Sequence, residues 1–296
     1  MALFLPLAGL LGFQADTDPF LLPINTKEKV VVQRGLTDLR TVTKATPADV
    51  AKAAEGARFV LVGESHTSPE DHQLQADVIQ ALVDRGRNVV VGFEMFTRPN
   101  QMNLNPWTLG RWTEEEFIQK ADWKGQWGFD FALYRPIFET VRKNRLPMAA
   151  LNIPRDWVRA VGKSGPTGLT AEQQAQVPQL YLGNEDHKKV FTALMGGHPM
   201  TGAQGDNIYA AQVLWDEAMA DSAIKYMDRF SASSKAVMVI CVGSGHTLHT
   251  QGLNWRIKRR TGEPLITVVC TESEGERAVN RGVGEFVFVG PPIKEQ

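Results

Sequence analysis

The sequence predicts an α/β fold with a mostly parallel central sheet and helices on both of its faces. Two short, wholly apolar runs, at 59–62 and 236–242, are typical of strands that are buried on both sides. Helix-period patterns separate the strand-like runs, and this alternation favours parallel strands joined by right-handed crossovers. A glycine followed by polar or ionisable residues ends both runs, which is typical of a ligand-binding sheet edge.

The composition is that of an ordinary globular protein. The chain has 296 residues, of which 43% are hydrophobic and 22% charged, enough for one large α/β domain. The formal net charge of -1 gives no sign of nucleic acid or an anionic membrane as a partner. Cys241 and Cys270 both lie in apolar runs and are expected to be buried.

We expect a single α/β domain over residues 16–296, with an insertion at about 97–128 and a helical segment at about 154–232. The insertion is rich in tryptophan, and four of the seven tryptophans fall there: Trp107, Trp112, Trp123 and Trp127. Clustered aromatic side chains could wall a flat ligand such as a porphyrin. The favoured interpretation is the core of a small helical subdomain.

The N-terminal residues 2–13 form an apolar segment that is too short to cross a bilayer but has the length of a signal-peptide core. No basic residue precedes it, and an apolar segment packed on the domain is the alternative. We expect an exported, periplasmic or peripheral protein in the first case and a cytoplasmic one in the second. No later run is long and apolar enough to predict a transmembrane helix.

The elements follow in order. Residues 29–33 and 38–42 predict a hairpin around Gly35. Thr46 and Pro47 are typical of a helix N-cap and first turn, and a helical pattern begins near His72 and ends at Gly86. The remaining predicted strands are 88–93, 147–151, 236–242, 264–270 and 285–289, and the remaining main helices are 130–144, 184–195 and 207–230. Lone histidines in the 184–198 region are expected to be surface or capping residues.

Ionisable residues follow four of the predicted strands. Glu64 and His66 follow the first, Glu94 the second, Arg155 the third, and His246 the strand at 236–242. Because the carboxyl ends of parallel strands meet at one edge of a sheet, we expect these side chains to lie close together.

This set is chemically capable of hydrolysis. Glu64, His66, Glu94 and His246 could hold a divalent ion that lowers the pKa of a bound water, and a glutamate could take the proton. Without a metal, a Glu–His pair could itself activate water. Arg155 could orient a carboxylate or stabilise developing negative charge. The alternative is a polar cluster that only ties the strand ends together.

The ordered motifs resemble those of a known family. They are Gly63-Glu64-Ser65-His66 with Asp71-His72, then Phe93-Glu94-Met95, Asn152-Ile153-Pro154-Arg155, the helix at 211–219, and Gly243-Ser244-Gly245-His246. Together they resemble the haem-binding uptake family of ChaN-like proteins, whose superfamily includes erythromycin esterases, TraB proteins and Tiki metalloproteases. The resemblance spans roughly residues 42–289.

The resemblance implies either of two functions. ChaN-like proteins are associated with haem or iron acquisition, and their haem site uses a tyrosine together with a histidine of a second subunit, so a homodimer is possible. His72 matches the second histidine of the family motif, and the tyrosine candidates are Tyr134, Tyr181 and Tyr209. The wider superfamily implies a hydrolase of esterase or peptidase type.

Three hypotheses therefore remain open: a haem- or iron-associated binding protein, a metal-dependent hydrolase and a catalytically silent scaffold. The implied cofactor is haem or a divalent metal ion, and the implied partner is haem or a small-molecule substrate.

Overall fold

The computed structural model describes residues 18–197 and 201–293. The predicted signal segment and His198 lie outside the described residues. The described strands are β1 (Lys29–Val32), β2 (Gly35–Asp38), β3 (Thr43–Lys44), β4 (Phe59–Glu64), β5 (Asn88–Thr97), β6 (Met148–Asn152), β7 (Ala236–Gly243), β8 (Leu265–Glu272), β9 (Arg277–Asn280) and β10 (Phe286–Gly290). The described α-helices are α1 (Pro47–Ala53), α2 (Pro69–Asp84), α3 (Asn105–Thr108), α4 (Glu114–Lys120), α5 (Trp123–Gln126), α6 (Phe131–Asn144), α7 (Arg155–Ser164), α8 (Ala171–Gln174), α9 (Glu185–Leu194), α10 (Gly202–Phe230) and α11 (Leu253–Thr261).

The central sheet is mostly parallel, as predicted. Its strand order is β3-β2-β10-β8-β4-β7-β5-β6, and every pair from β10 to β6 is parallel. β2 and β3 add two antiparallel strands at one edge. β1 and β9 form a separate antiparallel ribbon.

Helices cover both faces because successive residues of each central strand point to opposite sides. Val60, Val62 and Val91 pack in the core beneath α1, α2 and α6. Leu61 and Ile240 pack in the core beneath α10 and α11. Strands buried on both faces have no position for a polar residue until they end, which explains the unbroken apolar runs in the sequence.

The predicted hairpin between residues 29–33 and 38–42 is wrong. β1 pairs with β9, where Val30 faces Val279, and β2 pairs with β10, where Leu36 faces Phe288. Leu36 is 5% exposed in this position. Burial of β2 on the large sheet therefore overrides the local hairpin signal, and β9 was missed because its four residues carry no long apolar run.

The tryptophan-rich insertion contains α3, α4 and α5, and its aromatic side chains form a buried core with α6. Trp107 and Trp123 are 2% and 3% exposed. Their indole N–H groups donate to the carbonyl oxygens of Phe138 and Phe129 at 2.8 and 2.7 Å. Aromatic rings in edge-to-face contact fill the space around them. These two tryptophans are thus part of the core, and they are not free to wall a ligand.

No helix within residues 18–197 and 201–293 combines the length and the apolar character that a bilayer crossing requires.

Candidate functional site

Three adjacent strands end at the same edge of the sheet. β7 lies between β4 and β5, and the register places Gly243 opposite Glu64. His66 follows β4 directly, and His246 closes the 3₁₀ turn Ser244–His246 after β7. Glu94 lies in β5 near the same edge. The structure therefore brings together the four residues that were predicted to meet, and it sorts them by strand face into two groups.

The first group is built around Glu64, whose side chain is fully buried. His66 Nδ1 lies 2.6 Å from Glu64 Oε1, and His72 Nε2 is in close contact with Oε2. The Tyr134 hydroxyl donates to Glu64 Oε2 at 3.3 Å and to the carbonyl of His66 at 3.0 Å. Burial opposes ionisation of Glu64, but the charges and hydrogen bonds of the two histidines outweigh it and lower the pKa to about 2. Glu64 is therefore an anion at neutral pH.

The second group is built around His246. Its Nδ1 lies 2.5 Å from Asp216 Oδ1 and 3.1 Å from Gln212 Nε2, and its Nε2 lies 3.4 Å from Glu94 Oε1. The other oxygen of Glu94 accepts a hydrogen bond from the Gly243 N–H at 2.7 Å. Burial disfavours the imidazolium form, but the carboxylates of Glu94 and Asp216 outweigh it and raise the pKa of His246 to about 10. His246 is a cation at neutral pH.

A second layer of buried polar residues holds Asp216. Its Oδ2 lies 3.1 Å from His187 Nε2 and 3.2 Å from Arg256 Nη1, and both partners are almost completely buried. His187 Nδ1 contacts the Tyr209 hydroxyl at 3.1 Å, and that hydroxyl donates to the carbonyl of Asn184. Asp216 is thus shared by two histidines and an arginine. Burial opposes its ionisation, but the charges of Arg256 and His246 and the hydrogen bonds of the two histidines hold its pKa below the usual range.

His187 corrects a prediction, because it is 1% exposed and takes part in this layer instead of lying on the surface. Asp216 and Arg256 were missed as site residues. One signal was present: Gln212 and Asp216 are spaced four residues apart on one side of α10, and both contact His246. The position of Arg256 between the apolar residues Leu253 and Ile257 in a helical pattern was a second signal.

Gly243 lets the two groups approach each other. A side-chain carbon at this position would lie 2.9 Å from His66 Cε1 and 3.6 Å from Glu94 Oε2. Only glycine therefore allows the His66 ring to lie over the end of β7 beside Glu94. His66 keeps 28% of its side chain exposed, against 10% or less for the side chains of Glu64, Glu94 and His246, so it is the most accessible of the four.

Aromatic and cationic side chains border this opening. The ring of Trp127 makes an edge contact with the His66 ring at 4.7 Å, and Phe129 lies 5.3 Å away. Arg155 begins α7 and donates to the carbonyl oxygens of Gln126 and Trp127 at 2.6 and 3.2 Å. Burial lowers the pKa of Arg155, while the charge of Glu94 acts in the opposite direction. Arg155 therefore lies at the rim, within electrostatic reach of Glu94.

The predicted metal ligands do not fit a divalent ion in this arrangement. Across residues 18–197 and 201–293, no group of three or more His, Cys, Asp or Glu side chains is placed to hold a metal. Glu64 is occupied by His66 and His72, and the protonated His246 has no free lone pair to offer. The four residues form ion pairs with one another and with their neighbours.

The predicted cofactor-binding residues Tyr134, Tyr209 and His72 are all buried, with exposures of 0%, 3% and 0%. Both tyrosine hydroxyls and one nitrogen of His72 have hydrogen-bond partners within the protein. A haem could reach these groups only after the surrounding side chains move. The third tyrosine candidate, Tyr181, lies outside this cluster and is 44% exposed.

Comparison with known proteins gives one family and several similar folds. The model of the family described as haem-binding uptake, Tiki superfamily, ChaN matches residues 50–257. A solved structure described as cofacial haem binding to ChaN of Campylobacter jejuni has a TM-score of 0.66 and 17% identity, and the match covers 86% of this chain and 96% of that one. No curated protein matches the sequence.

Two further solved structures have lower similarity. A variant of the erythromycin esterase EreC in its open conformation has a TM-score of 0.48 and 13% identity, with 82% of this chain and 77% of that chain covered. The type III effector HopBA1 has a TM-score of 0.49 and 11% identity, with 83% and 94% covered.

Proposed function

The chain belongs to the ChaN haem-binding uptake family of the Tiki superfamily, and on that premise we propose that it is a haem-associated binding protein with a role in iron uptake. The observation that carries the proposal is the family match over residues 50–257, which includes every residue from Glu64 to His246 in the two polar groups. The similarity in fold to ChaN of Campylobacter jejuni agrees with it.

We further propose that the haem-loaded protein is a homodimer. The support is that haem binding to the Campylobacter protein is described as cofacial, an arrangement in which two haems lie face to face. Two copies of this chain, each carrying one haem, would produce the same arrangement.

A haemin titration of the purified protein tests the proposal. We expect a Soret band that saturates at one haem per chain, and a doubling of the molecular mass in sedimentation once haem is bound. Elemental analysis of the same preparation measures any bound metal. The absence of any spectral change at micromolar haemin would refute haem binding.

A second candidate function, ester or amide hydrolysis, is favoured by one observation. Two histidines, His66 and His246, are each held by a carboxylate at 2.5–2.6 Å. Their groups approach each other at Gly243, which lies close to both His66 and Glu94. In this scheme His66 takes a proton from water, since it is the accessible member and Glu64 holds its Nδ1. The cationic His246 and Arg155 stabilise developing negative charge.

Turnover of chromogenic esters tests this second function. Glu64 and Glu94 outweigh the effect of burial and raise the pKa of His66, so we expect the rate to increase as the pH rises through that raised value. His66→Gln should abolish turnover, whereas Lys52→Gln, an exposed change on α1, should not. Equal rates for wild type and His66→Gln would rule out this mechanism.

Export, expected from the apolar N-terminal segment, is part of the uptake proposal. Fractionation of cells that express the full chain would test it, with recovery in the periplasmic or membrane-associated fraction as the expected result.

A further inference from the structure

We propose that residues 18–26 form a strap that holds the turn after His246 in a strained conformation, and that protonation of His249 in mild acid releases the strap. This inference goes beyond the proposed function, because it concerns how the polar sheet edge is held, whichever ligand binds there. The backbone of the turn, the contacts of the strap and the burial of His249 support it.

The turn at Leu248–Thr250 has an unusual backbone conformation. His249 and Thr250 both have a positive φ, of 55° and 56°, and consecutive non-glycine residues rarely share this left-handed conformation. Histidine tolerates it better than most residues do, but for a β-branched residue such as Thr250 it is a true outlier. A conformation of this kind persists only where the surrounding contacts impose it.

The strap supplies such contacts. The side-chain amide of Asn25 donates to the carbonyl oxygen of His249 at 2.7 Å. The Nε2 atom of His249 donates in turn to the carbonyl oxygen of Pro19, also at 2.7 Å. Apolar side chains of the strap, Ile24 among them, pack in one core cluster with Leu248. The strap and the turn therefore hold each other, and we expect them to open together.

The turn also adjoins the polar groups at the sheet edge. The backbone of Gly252, just past the turn, leaves no room for a side-chain carbon beside the carbonyl oxygen of His246. The side chain of Gln251 accepts a hydrogen bond from Asn184 at 3.1 Å, and Asn184 caps the helix that carries His187. A turn that relaxes would therefore shift His246 relative to its carboxylate partners.

His249 is a buried base with one uncommitted nitrogen. The residue is 0% exposed, and because Nε2 is the donor to Pro19, Nδ1 is the unprotonated nitrogen. Within residues 18–197 and 201–293, Nδ1 has no hydrogen-bond partner. Burial lowers the pKa of His249, although the hydrogen bond to Pro19 and the charges of two carboxylates act in the opposite direction. Protonation would create a buried N–H without an acceptor, so it favours the open state.

The charged groups around His249 do not offer that acceptor. Asp186 on α9 and Asp18 on the strap act on His249 through their charges alone, and each has a cationic partner. The ion pairs on the elements around the turn, which are the strap and its continuation, β9 and the segment after it, and α9, are Asp18–Arg277, Glu28–Arg281 and Asp186–Lys189. Neither carboxylate is therefore free to hold a protonated His249 in place.

Opening should depend on pH in one direction. In the open state His249 has the ordinary histidine pKa of about 6.5, whereas in the closed state its pKa is lower. The open state therefore binds one more proton between these two values. Its population should rise by up to about tenfold for each pH unit below about 6.5, and it should level off below the pKa of the closed state.

Hydrogen exchange of the full-length protein measures the opening. The informative peptides cover residues 18–26 and 247–252, and rates from about pH 7.5 to about pH 5 are corrected for the intrinsic rate of exchange. We expect acid to increase exchange in both segments together. His249→Asn should remove this response, because asparagine accepts a left-handed backbone and does not titrate. Protection of the wild-type strap that does not change with pH, or an acid response that survives in His249→Asn, would overturn the proposal.

Asn25→Ala tests the strap without a change in any titratable group. Loss of the hydrogen bond to the turn should increase exchange at both 18–26 and 247–252 by about fivefold at neutral pH. Asn144→Ala, which removes side-chain hydrogen bonds at the end of α6, is the matched control and should change neither segment. If Asn25→Ala loosens the strap and the turn stays protected, the two do not open together and the proposal fails. This test stands even if His249→Asn does not fold, which circular dichroism would show.

The imidazole of His246 provides a second measurement, by NMR. Its pKa is raised to about 10, so it stays protonated throughout the acid range, and a change in its signal there reports a change in its surroundings. We expect the signal to shift below about pH 6.5 in the wild type and to stay in place in His249→Asn. The same behaviour in both proteins would show that the strap does not control the position of His246.

Discussion

Asp216 Oδ1 lies 2.5 Å from His246 Nδ1, so a residue in the middle of helix α10 holds a residue of the turn that follows strand β7. Both side chains are buried, and Arg256 and His187 contact the second oxygen of Asp216. The pair connects the face of the sheet that α10 covers to the polar edge where Glu94 lies. Its effects on stability and on pH dependence can be measured.

Asp216→Asn should lower the free energy of unfolding by about 3 kcal/mol or more, because it removes the counter-charge of two buried cations. Urea unfolding at neutral pH measures the change. Asp206→Asn on the same helix is the control: Asp206 is 64% exposed, so its ion pair with Lys188 contributes little. If the Asp216→Asn protein unfolds at the wild-type urea concentration, the pair does not stabilise the fold.

The stabilising effect of His246 should be lost at high pH. Its pKa in the folded protein is about 10, above the value of about 6.5 in an unfolded chain. The contribution is therefore complete below the unfolded pKa and decreases as the pH rises through the folded pKa. We expect the difference in unfolding free energy between wild type and His246→Gln to shrink between about pH 7 and about pH 11. A difference that stays constant over this range would mean that His246 is not charged in the fold.

Gly243→Ala should displace His66. The added carbon would lie 2.9 Å from His66 Cε1, closer than two such atoms can approach, and Glu64 holds the ring in place through Nδ1. We expect a loss of about 1–3 kcal/mol in unfolding free energy and a changed titration of the His66 imidazole by NMR. Gly275→Ala, where the new carbon meets open space, should change neither. An unperturbed His66 signal in the Gly243→Ala protein would contradict the geometry.

Trp123→Ala should reduce stability without weakening haem binding. The side chain is 3% exposed and packs against Phe96, Phe131 and Tyr134, so its loss should cost about 3–5 kcal/mol. Urea unfolding measures this cost, and a haemin titration of the folded variant measures affinity. Retained stability together with lost haem affinity would favour the porphyrin-wall interpretation of the insertion instead.

Much of the fold could be predicted from local sequence. The strands β4, β5, β6, β7 and β8 each contain an apolar run because both of their faces are buried, and this pattern is visible without any partner strand. The capping pattern of Thr46 and Pro47 likewise marked the start of α1. The partners of β1 and β2 could not be predicted, because pairing across more than 200 residues leaves no local signal.

The sequence by itself determined that Glu64, His66, Glu94 and His246 would lie at one edge of a parallel sheet, because each follows or ends a strand whose direction the alternation of elements sets. Only the tertiary structure decided which charges meet. Strand alternation turns Glu64 towards α2 and α6 and Glu94 towards α10, and those helices supply His72, Tyr134 and Asp216. Packing of α11 brings Arg256 to Asp216, and it also leaves Tyr181 exposed on Trp255. The exposed fraction of a side chain depends on all of the elements that pack around it. It distinguishes the buried polar groups of Glu64 and His246 from Tyr181, whose side chain is accessible.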